Sequence, residues 1–222
     1  MKKTVLSDNV RDILLCDESV LATGGFDVVP AGWDLVRFVD SKLKDCKYFI
    51  DIGANVGSFT LLAKGYPDVK FLSFEPVKKI FSILEKNVNL NEIKNVTLIN
   101  KGLSDVEEDI NIYIPTDNNI GSSSIYKIDY TECDVEMCSF DKLDNYMDYP
   151  AELIKIDVEG HEYKVLTGGM EFLKKYHPMI LMEDNPPSTE EQFENQRNIF
   201  TLLDSLGYKL YQFNVYNVLA VY

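Results

Sequence analysis

One stretch of the chain, Asp51 to Leu61, constrains the possible fold more than any other. It reads DIGANVGSFTL and directly follows the apolar residues Tyr48, Phe49 and Ile50. The pattern predicts a buried strand, then a glycine turn, then the first turns of a helix that ends at Gly65. Glycines allow the backbone to approach a ligand closely, and a helix start offers unpaired N–H groups. The chain is therefore expected to contain an α/β domain with a ligand site at this turn.

The spacing of the two glycines narrows the class of ligand. Gly53 and Gly57 form a G-x-x-x-G pattern, whereas the dinucleotide fingerprint is G-x-G-x-x-G and the P-loop is G-x-x-x-x-G-K-[ST]. Asp51 precedes the turn, and its carboxylate would repel a pyrophosphate. A carboxylate suits a ligand with positive charge instead, such as the amino group of S-adenosylmethionine.

A second acidic residue lies at the end of the next predicted strand. Residues Lys70 to Glu75 read as a strand that Pro76 ends, and Glu75 lies 24 positions after Asp51. In a β-α-β unit, an acidic residue at the tip of the second strand can accept hydrogen bonds from both ribose hydroxyls. Each acid alone is equally compatible with a structural role, because acids are common at strand tips. Together they predict a nucleoside-binding, Rossmann-like site.

Composition sets limits on the partners and the compartment. The chain has 222 residues, of which 45% are hydrophobic, and this suits one domain with a sizeable core. A net charge of -14 argues against binding to a nucleic-acid backbone. The four cysteines form no C-x-x-C pair, and the sequence shows no apolar leader and no stretch of membrane-helix length. We expect a cytoplasmic protein without a membrane span; the sequence indicates no oligomeric state.

The order of periodic segments predicts a mostly parallel α/β domain over residues 47–222, preceded by an N-terminal cap segment over residues 1–46. Between residues 109 and 140 apolar and polar residues alternate, which predicts an inserted β-hairpin. The last two strands are expected to form an antiparallel pair. The expected helices cover residues 34–45, 78–91 and 188–207, the last with Ser188 as its cap, and a further helix that Gly168 and Gly169 weaken.

A charged cluster interrupts the buried strand that begins at Leu153. Strand side chains alternate, so Lys155, Asp157 and Glu159 are expected to share one face. Charges inside a buried strand are costly unless they pair or bind a ligand. Because ligands lie beyond the carboxyl ends of the strands in open α/β sheets, Asp157, Glu159 and His161 are expected to face the crevice of the glycine turn. The alternative is a Lys155–Asp157 pair that only holds the strand end.

Taken together, these blocks resemble the FkbM-type S-adenosylmethionine-dependent methyltransferases, a branch of the Rossmann-like class I methyltransferases. The matching blocks, which cover roughly residues 47 to 185, are Phe49–Gly57, Phe74–Pro76, Gly102–Ser104, Gly121–Ser123 and Ile154–Glu162. The resemblance implies a mostly parallel seven-stranded sheet, with the methyltransferase domain over residues 47–222.

The resemblance also implies roles around the cofactor. Asp51, Gly53, Asn55 and Gly57 would hold the methionine part of S-adenosylmethionine, and Glu75 would accept hydrogen bonds from its ribose hydroxyls.

Further cofactor contacts come from two later blocks. Gly102, Leu103 and Ser104 would lie along the adenine edge, and Asp157 would face the sulfonium side of the crevice. This chain has Gly102 where the family more usually has alanine.

Members of the family mostly methylate hydroxyl groups on sugars and other natural products, so the resemblance implies an O-methyltransferase with a small-molecule or glycan substrate. An alcohol is a poor nucleophile at neutral pH, so a base or a metal must handle its proton. Glu159 and His161 are the candidate bases, followed by Asp157, and Lys155 belongs to the same expected catalytic face.

Three alternatives remain open from the sequence. No metal ligand is assigned, but Asp157, Glu183 and Asp184 could instead bind Mg²⁺ through oxygen ligands, as some related sugar methyltransferases do. A non-catalytic module that binds S-adenosylmethionine would show cofactor binding without turnover. A nicotinamide-dependent oxidoreductase on the same sheet is disfavoured by the missing G-x-G-x-x-G.

Overall fold

The computed structural model describes residues 2–7, 9–10, 12–18, 33–116, 122–127, 132–184, 186–187 and 189–222. The strands in chain order are β1 (Lys2–Thr4), β2 (Ile13–Leu15), β3 (Tyr48–Ile52), β4 (Lys70–Phe74), β5 (Val96–Ile99), β6 (Gly102–Leu103), β7 (Glu108–Pro115), β8 (Cys133–Asp141), β9 (Leu153–Ile156), β10 (Met179–Glu183), β11 (Lys209–Asn214) and β12 (Asn217–Val221). The α-helices are α1 (Trp33–Leu43), α2 (Lys78–Leu90), α3 (Glu162–Thr167), α4 (Met170–Tyr176) and α5 (Glu190–Ser205), and short 3-10 helices cover Thr60–Gly65 and Leu143–Tyr146. No helix in these described ranges has the length and apolar character needed to cross a membrane.

Seven strands form the main sheet, in the order β11-β12-β10-β9-β3-β4-β5. The strands from β10 to β5 in this order run parallel to one another, whereas β12 is antiparallel to both β10 and β11. The inserted strands β7 and β8 form an antiparallel hairpin, which makes a separate three-stranded sheet with β6. The predicted parallel sheet, its C-terminal antiparallel pair and the inserted hairpin are confirmed.

The chain order reverses between β3 and β9. β4 and β5 lie on one side of β3, whereas β9 and β10 lie on its other side. In open α/β sheets, ligands bind beyond the carboxyl ends of the strands at such a reversal. The residues that directly follow β3 and β9 therefore occupy the position where a ligand site is expected.

Both faces of the main sheet are buried. Alternate residues of a strand point to opposite faces, so Phe49 of β3 belongs to one hydrophobic cluster with Val39 of α1. Ile50 belongs to the other cluster, with Leu166 of α3 and Phe172 of α4. Helices thus cover both faces, which explains why the central strands read as nearly continuous apolar runs. Since α1 shares this core, the division of the chain after residue 46 stays a prediction.

Some helix boundaries differ from expectation. After the glycine turn the chain forms a short 3-10 helix in place of α-helical turns. The start of α5 is a correction: its cap is Thr189, whose side chain accepts a hydrogen bond from the N–H of Gln192 at 3.1 Å. The backbone at Thr189 is extended, which lets the hydroxyl reach the helix start. The expected cap, Ser188, lies outside the described residues. The paired glycines between α3 and α4 separate these helices, as predicted.

Candidate active site

Backbone hydrogen bonds hold the turn after β3 against the neighbouring strands. The N–H groups of Gly53 and Ala54 donate to the carbonyl of Phe74 at 3.1 and 2.8 Å. The N–H of Asp157 donates to the carbonyl of Ile52 at 3.1 Å. Gly53 has a φ of +74°, and a Cβ there would lie 1.8 Å from the carbonyl oxygen of Asp157. The sequence analysis expected a ligand to approach this glycine closely. In the structure, the backbone after β9 makes that close approach to Gly53.

Asn55 and Gly57, the other predicted residues of the turn, lie in different surroundings. Asn55 has a φ of +51°, lines a cavity, and donates its N–H to Glu75 Oε2 at 3.0 Å. Gly57 is buried, and Leu84 of α2 lies against it. Asn55 thus faces the site, whereas Gly57 contributes to packing.

Lys155 is the buried cation of a group that we call the Lys155 centre, which also contains Asp51, Asp157 and the carbonyl of Gly53. Its Nζ lies 3.6 Å from Asp51 Oδ1 and 3.4 Å from Asp157 Oδ2, and it donates to the Gly53 carbonyl at 2.7 Å. Asp51 is fully buried, and its Oδ2 accepts a hydrogen bond from the Thr60 hydroxyl at 2.6 Å. The predicted contact between Asp51 and a ligand is not available in this arrangement, because the carboxylate faces Lys155.

Burial and the neighbouring charges shift the pKa values of this centre in opposite directions. Burial raises the pKa of Asp51 above its usual value, against the lowering effects of Lys155 and of the Thr60 hydroxyl. Burial alone would lower the pKa of Lys155, but the charges of Asp157 and Asp51 raise it above its usual value. Lys155 is therefore a fixed cation at neutral pH that holds together the segments after β3 and β9.

Glu75 follows β4 and lines a cavity of about 140 Å³ beyond the ends of β3, β4 and β9, which we call the first cavity. Its Oε2 accepts from the N–H of Asn55 and its Oε1 from the N–H of Val77, each at 3.0 Å. Burial raises the pKa of Glu75 to about 7, although both N–H groups lower it. The carboxylate is thus fixed in direction and easily protonated.

Apolar side chains from three parts of the fold contribute to the same cavity. They come from the start of α2, from β6 and from the hairpin: Val77, Ile80, Leu103, Ile112 and Phe140. Gly102 also lines the cavity, and a Cβ there would lie 2.2 Å from the Phe140 ring. The glycine that stands where the family more usually has alanine therefore leaves room for this ring.

His161 and Ser104 form a buried pair beside the cavity. His161 Nε2 lies 3.1 Å from Ser104 Oγ, and the imidazole packs edge-on against Phe140 with ring centres 5.7 Å apart. Burial lowers the pKa of His161 to about 4. His161 lines the first cavity, whereas Ser104 is fully buried and does not. The neutral imidazole therefore supports the Phe140 wall of the cavity.

Three carboxylates meet between the strand ends, and we call Asp157, Glu159 and Glu183 the carboxylate cluster. Each offers an oxygen within 4.8 Å of the others. Burial, then the charge of Asp157, raises the pKa of both Glu159 and Glu183 above the usual value. Asp184 is not part of this group, and its Oδ1 accepts a hydrogen bond from Gln196. The three carboxylates that could hold Mg²⁺ are thus Asp157, Glu159 and Glu183. The sequence analysis had expected Asp184 in the place of Glu159.

The direction of Glu159 is a correction to the strand argument. β9 ends at Ile156, so Glu159 does not continue the alternation that Lys155 begins. Its backbone is left-handed, with a φ of +53°, and Ser124 Oγ donates to its carbonyl at 2.9 Å. This conformation is uncommon for a residue other than glycine and recurs at functional sites. A loop held by Ser124, not the strand, brings Glu159 to the crevice.

A second cavity, of about 170 Å³, adjoins the first. Ser124, Glu159 and Glu183 line both cavities. The remaining lining comes from the segment between β7 and β8, the loop after β9 with the start of α3, the segment after β10 and the inner face of α5: Ser122, Tyr126, Gly160, Glu162, Asp184, Pro186, Pro187, Gln192, Asn195, Gln196 and Ile199. The sequence analysis did not assign the residues of α5. The available signal was Asn195, a polar residue that shares the apolar helix face of Ile199 and Leu203 by its spacing of four and eight positions.

The sequence matches the family described as Methyltransferase FkbM domain over residues 51–210. Methyltransferase 1 of Beauveria bassiana is 29% identical over 163 residues, which cover 61% of this chain and 61% of that protein. Methyltransferase sdnD of Sordaria araneosa is 30% identical over 165 residues, which cover 58% of this chain and 62% of that protein. The matches thus span about three fifths of the length of each relative.

Solved structures share the arrangement of the main sheet. The methyltransferase FkbM from Methylobacillus flagellatus KT has a TM-score of 0.53 at 15% identity, over 79% of this chain and 43% of that chain. A precorrin-6y C5,15-methyltransferase from Geobacter metallireducens GS-15 has a TM-score of 0.52 at 12% identity, over 95% of this chain and 97% of that chain. At such identities the likeness concerns the fold alone, and it is that of Rossmann-like class I methyltransferases.

Proposed function

Because the chain belongs to the FkbM methyltransferase family, we propose that it transfers a methyl group from S-adenosylmethionine to a hydroxyl of a sugar or another small natural product. The observation that carries the proposal is the first cavity, which places Glu75, a glycine turn and an apolar wall together beyond the carboxyl ends of β3, β4 and β9. This is the set of groups that a nucleoside with an attached amino acid requires.

The residues present fit this cofactor. The Glu75 carboxylate would accept hydrogen bonds from the ribose hydroxyls, since it is already oriented by two backbone N–H groups. The apolar wall with Phe140 and Leu103 would receive the adenine, beside Gly102. Gly53 and Asn55 line the cavity near Asp157, which supports a role in holding the methionine part. Asp51, Gly57 and Ser104 would act indirectly, by positioning these groups.

Proton handling falls to the protein's own side chains. Bound S-adenosylmethionine supplies a methyl group that its sulfonium charge has already activated. Glu159 is the proposed base for the acceptor hydroxyl, because it lines both cavities and its raised pKa suits proton transfer near neutral pH. Lys155 would position Asp157, and His161 would position Phe140. This assignment favours Glu159 over His161, whose Nε2 already contacts Ser104.

Mg²⁺ is a second way to handle that proton. The carboxylate cluster offers three hard oxygen ligands, the type that Mg²⁺ prefers. Asp157, Glu159 and Glu183 would hold the ion, and Glu159 would then be a ligand in place of a base.

Binding of the cofactor is the first test. Isothermal titration with S-adenosylhomocysteine should give binding, and native mass spectrometry of the purified protein should detect retained S-adenosylmethionine or its demethylated product. NAD should not bind, since the helix after the glycine turn is only a short 3-10 segment that offers no pyrophosphate site. Binding of NAD without binding of S-adenosylhomocysteine would overturn the proposal.

Turnover separates an enzyme from a binding module. With an acceptor found among hydroxyl compounds, Glu159→Gln should lower turnover by about two orders of magnitude while the affinity for S-adenosylhomocysteine is kept. Activity lost to EDTA and restored by Mg²⁺ would assign Glu159 to the metal. Cofactor binding without transfer to any sugar or polyol would favour the non-catalytic module.

The proposal includes a cytoplasmic location and a small-molecule or glycan substrate in place of nucleic acid. None of the four cysteines, all of which lie in the described part of the chain, forms a disulfide, which supports a reducing compartment. The net charge of -14 offers little attraction to a phosphate backbone.

A further inference from the structure

The second cavity has the position of an acceptor site. It shares Ser124, Glu159 and Glu183 with the first cavity, so a molecule bound there would lie directly beside the proposed cofactor. Its wall contains apolar groups as well, from Pro186 and Ile199. A cavity of about 170 Å³ with mixed walls suits a small polar molecule.

The charged side chains that line the second cavity, among the described residues, are all acidic. Glu159, Glu162, Glu183 and Asp184 line it, and no Lys, Arg or His is among the described residues that do so. The charge of Lys155 acts on Glu159 and Glu183, but the described lining offers no cation to attract a phosphate or carboxylate of the acceptor.

The carboxylates differ in how far the protein satisfies them. Glu162 is buried, and its Oε1 accepts hydrogen bonds from the N–H groups of Val158 and Gly160 at 3.1 and 3.3 Å. Glu183 Oε2 is a buried atom with no hydrogen-bond partner. A buried acceptor left in this state costs free energy that a donor on a ligand would recover.

The neutral polar groups suit hydroxyls. Tyr126 accepts a hydrogen bond from Asn195 Nδ2 at 3.3 Å, and its hydroxyl also hydrogen-bonds to Glu191. Gln192 and Gln196 of α5 line the same cavity and add carboxamide groups. Gln192 also lies against the loop that carries Glu159, because a Cβ at Gly160 would be 2.5 Å from its Nε2.

We propose that the second cavity is the acceptor site and that it selects an acceptor carrying a protonated amine close to its hydroxyls, as in an amino alcohol or an amino sugar. This inference rests on the proposed methyl transfer and specifies, in addition, that the substrate carries a positive charge. Glu162 and Asp184 line only the second cavity, so their charges favour a cation there and not in the cofactor cavity.

Matched pairs of small probes test the charge preference in the wild-type protein. Glucosamine, galactosamine and serinol are compared with N-acetylglucosamine, N-acetylgalactosamine and glycerol by saturation-transfer NMR in the presence of S-adenosylhomocysteine, and glucose 6-phosphate is the anionic probe. We expect at least one amine to bind about tenfold or more tightly than its neutral counterpart, and no binding of the phosphate. Absence of amine binding, or equal or tighter binding of every neutral counterpart, overturns the inference.

Variants then place the binding in this cavity. Asp184→Asn, which lines only the second cavity, should weaken amine binding about tenfold without changing the affinity for S-adenosylhomocysteine. Glu194→Gln removes an exposed charge of α5 outside both cavities and should change neither. If folded Asp184→Asn keeps the amine affinity of the wild type, the inference is wrong. It is also wrong if the wild type binds Mg²⁺ but no amine. Loss of S-adenosylhomocysteine binding by the wild type would refute the proposed function itself, whereas retained cofactor binding without amine preference refutes only the acceptor class.

Discussion

The Lys155 centre and the second cavity are both acidic and both lie at the carboxyl edge of the main sheet, but they differ in how their charge is balanced. In the Lys155 centre a single ammonium lies 3.6 Å from Asp51 and 3.4 Å from Asp157. Asp51 Oδ1 and Glu183 Oε2 are both buried without a hydrogen-bond partner, but the described lining of the second cavity contains no cation.

This difference separates structure from function. A buried carboxylate with a cation beside it has its charge balanced by the fold, and removing either partner leaves the other charge buried without compensation. Carboxylates without such a partner raise one another's pKa and leave room for a ligand to supply the charge. The Lys155 centre therefore stabilises the fold around the site, whereas the second cavity can bind a ligand that supplies positive charge.

Gly53→Ala should have the largest effect, because it separates the two strand ends that the Lys155 centre joins. A Cβ would lie 1.8 Å from the Asp157 carbonyl at a φ of +74°. We expect a loss of about 4–6 kcal/mol in the free energy of unfolding, since left-handed strain and overpacking each cost up to about 3 kcal/mol. Urea unfolding followed by circular dichroism measures it.

Gly207→Ala is the matched control for that measurement. Its φ of +88° is also left-handed, but a Cβ there would meet only the Tyr222 ring at 3.2 Å. The expected loss is about 1–2 kcal/mol, the cost of the conformation alone. Equal losses in the two variants would mean that the approach of the strand ends contributes nothing.

Lys155→Met should have the next largest effect. The change removes the cation from between Asp51 and Asp157 and leaves a buried carboxylate uncompensated, at a cost of about 3–5 kcal/mol of stability. Lys174→Met removes an exposed lysine paired with Glu171 and should change the melting temperature little. If both variants melt alike, the Lys155 centre is not the structural element that the comparison requires.

The sequence predicted the Lys155 side of the site better than the acidic cavity. Strand tips are local features, so the positions of Asp51, Glu75 and Lys155 followed from apolar runs and their ends. The pairing of Asp51 with Lys155 could not be predicted in this way, because a contact between β3 and β9 depends on the order of strands in the sheet. The sequence analysis proposed the Lys155–Asp157 pair because those residues are neighbours on one strand.

The second cavity was harder to predict for two physical reasons. Glu159 leaves the strand through a left-handed backbone, which no alternation pattern describes. The rest of the lining comes from α5, and long-range packing, not the sequence period, brings Gln192 and Asn195 to the loop after β9. Glu183 was recognised only as a candidate metal ligand.

Glu75→Gln should affect binding more than stability. The ionised carboxylate is the better acceptor for ribose hydroxyls, so its loss should weaken S-adenosylhomocysteine binding by about 1–3 kcal/mol. With a pKa of about 7, the wild type should bind more tightly as the pH rises from 6 to 8, and the variant should lose this pH dependence. A calorimetric affinity that does not change with pH in the wild type would place Glu75 outside the cofactor site.

Glu183→Gln should have the smallest effect and the opposite sign. Near neutral pH the folded wild type keeps Glu183 largely protonated, whereas the unfolded chain releases the proton, and this difference opposes folding. Glutamine has no proton to lose, so the variant should be more stable than the wild type by on the order of 1 kcal/mol. The pKa of Glu183 is raised above its usual value of 4.5, chiefly by burial. The folded state thus binds the proton more tightly than the unfolded state does.

Because of this linkage, the contribution of Glu183 to stability is complete below pH 4.5 and is lost as the pH rises toward its folded-state pKa. The melting temperature of the wild type should therefore fall relative to that of Glu183→Gln between pH 4.5 and about pH 10. Glu194→Gln removes the same charge from an exposed position on α5 and should track the wild type throughout. A Glu183→Gln variant that is less stable than the wild type at high pH would mean that the protein already satisfies this carboxylate. The second cavity would then resemble the Lys155 centre, with no charge left for a cationic acceptor to balance.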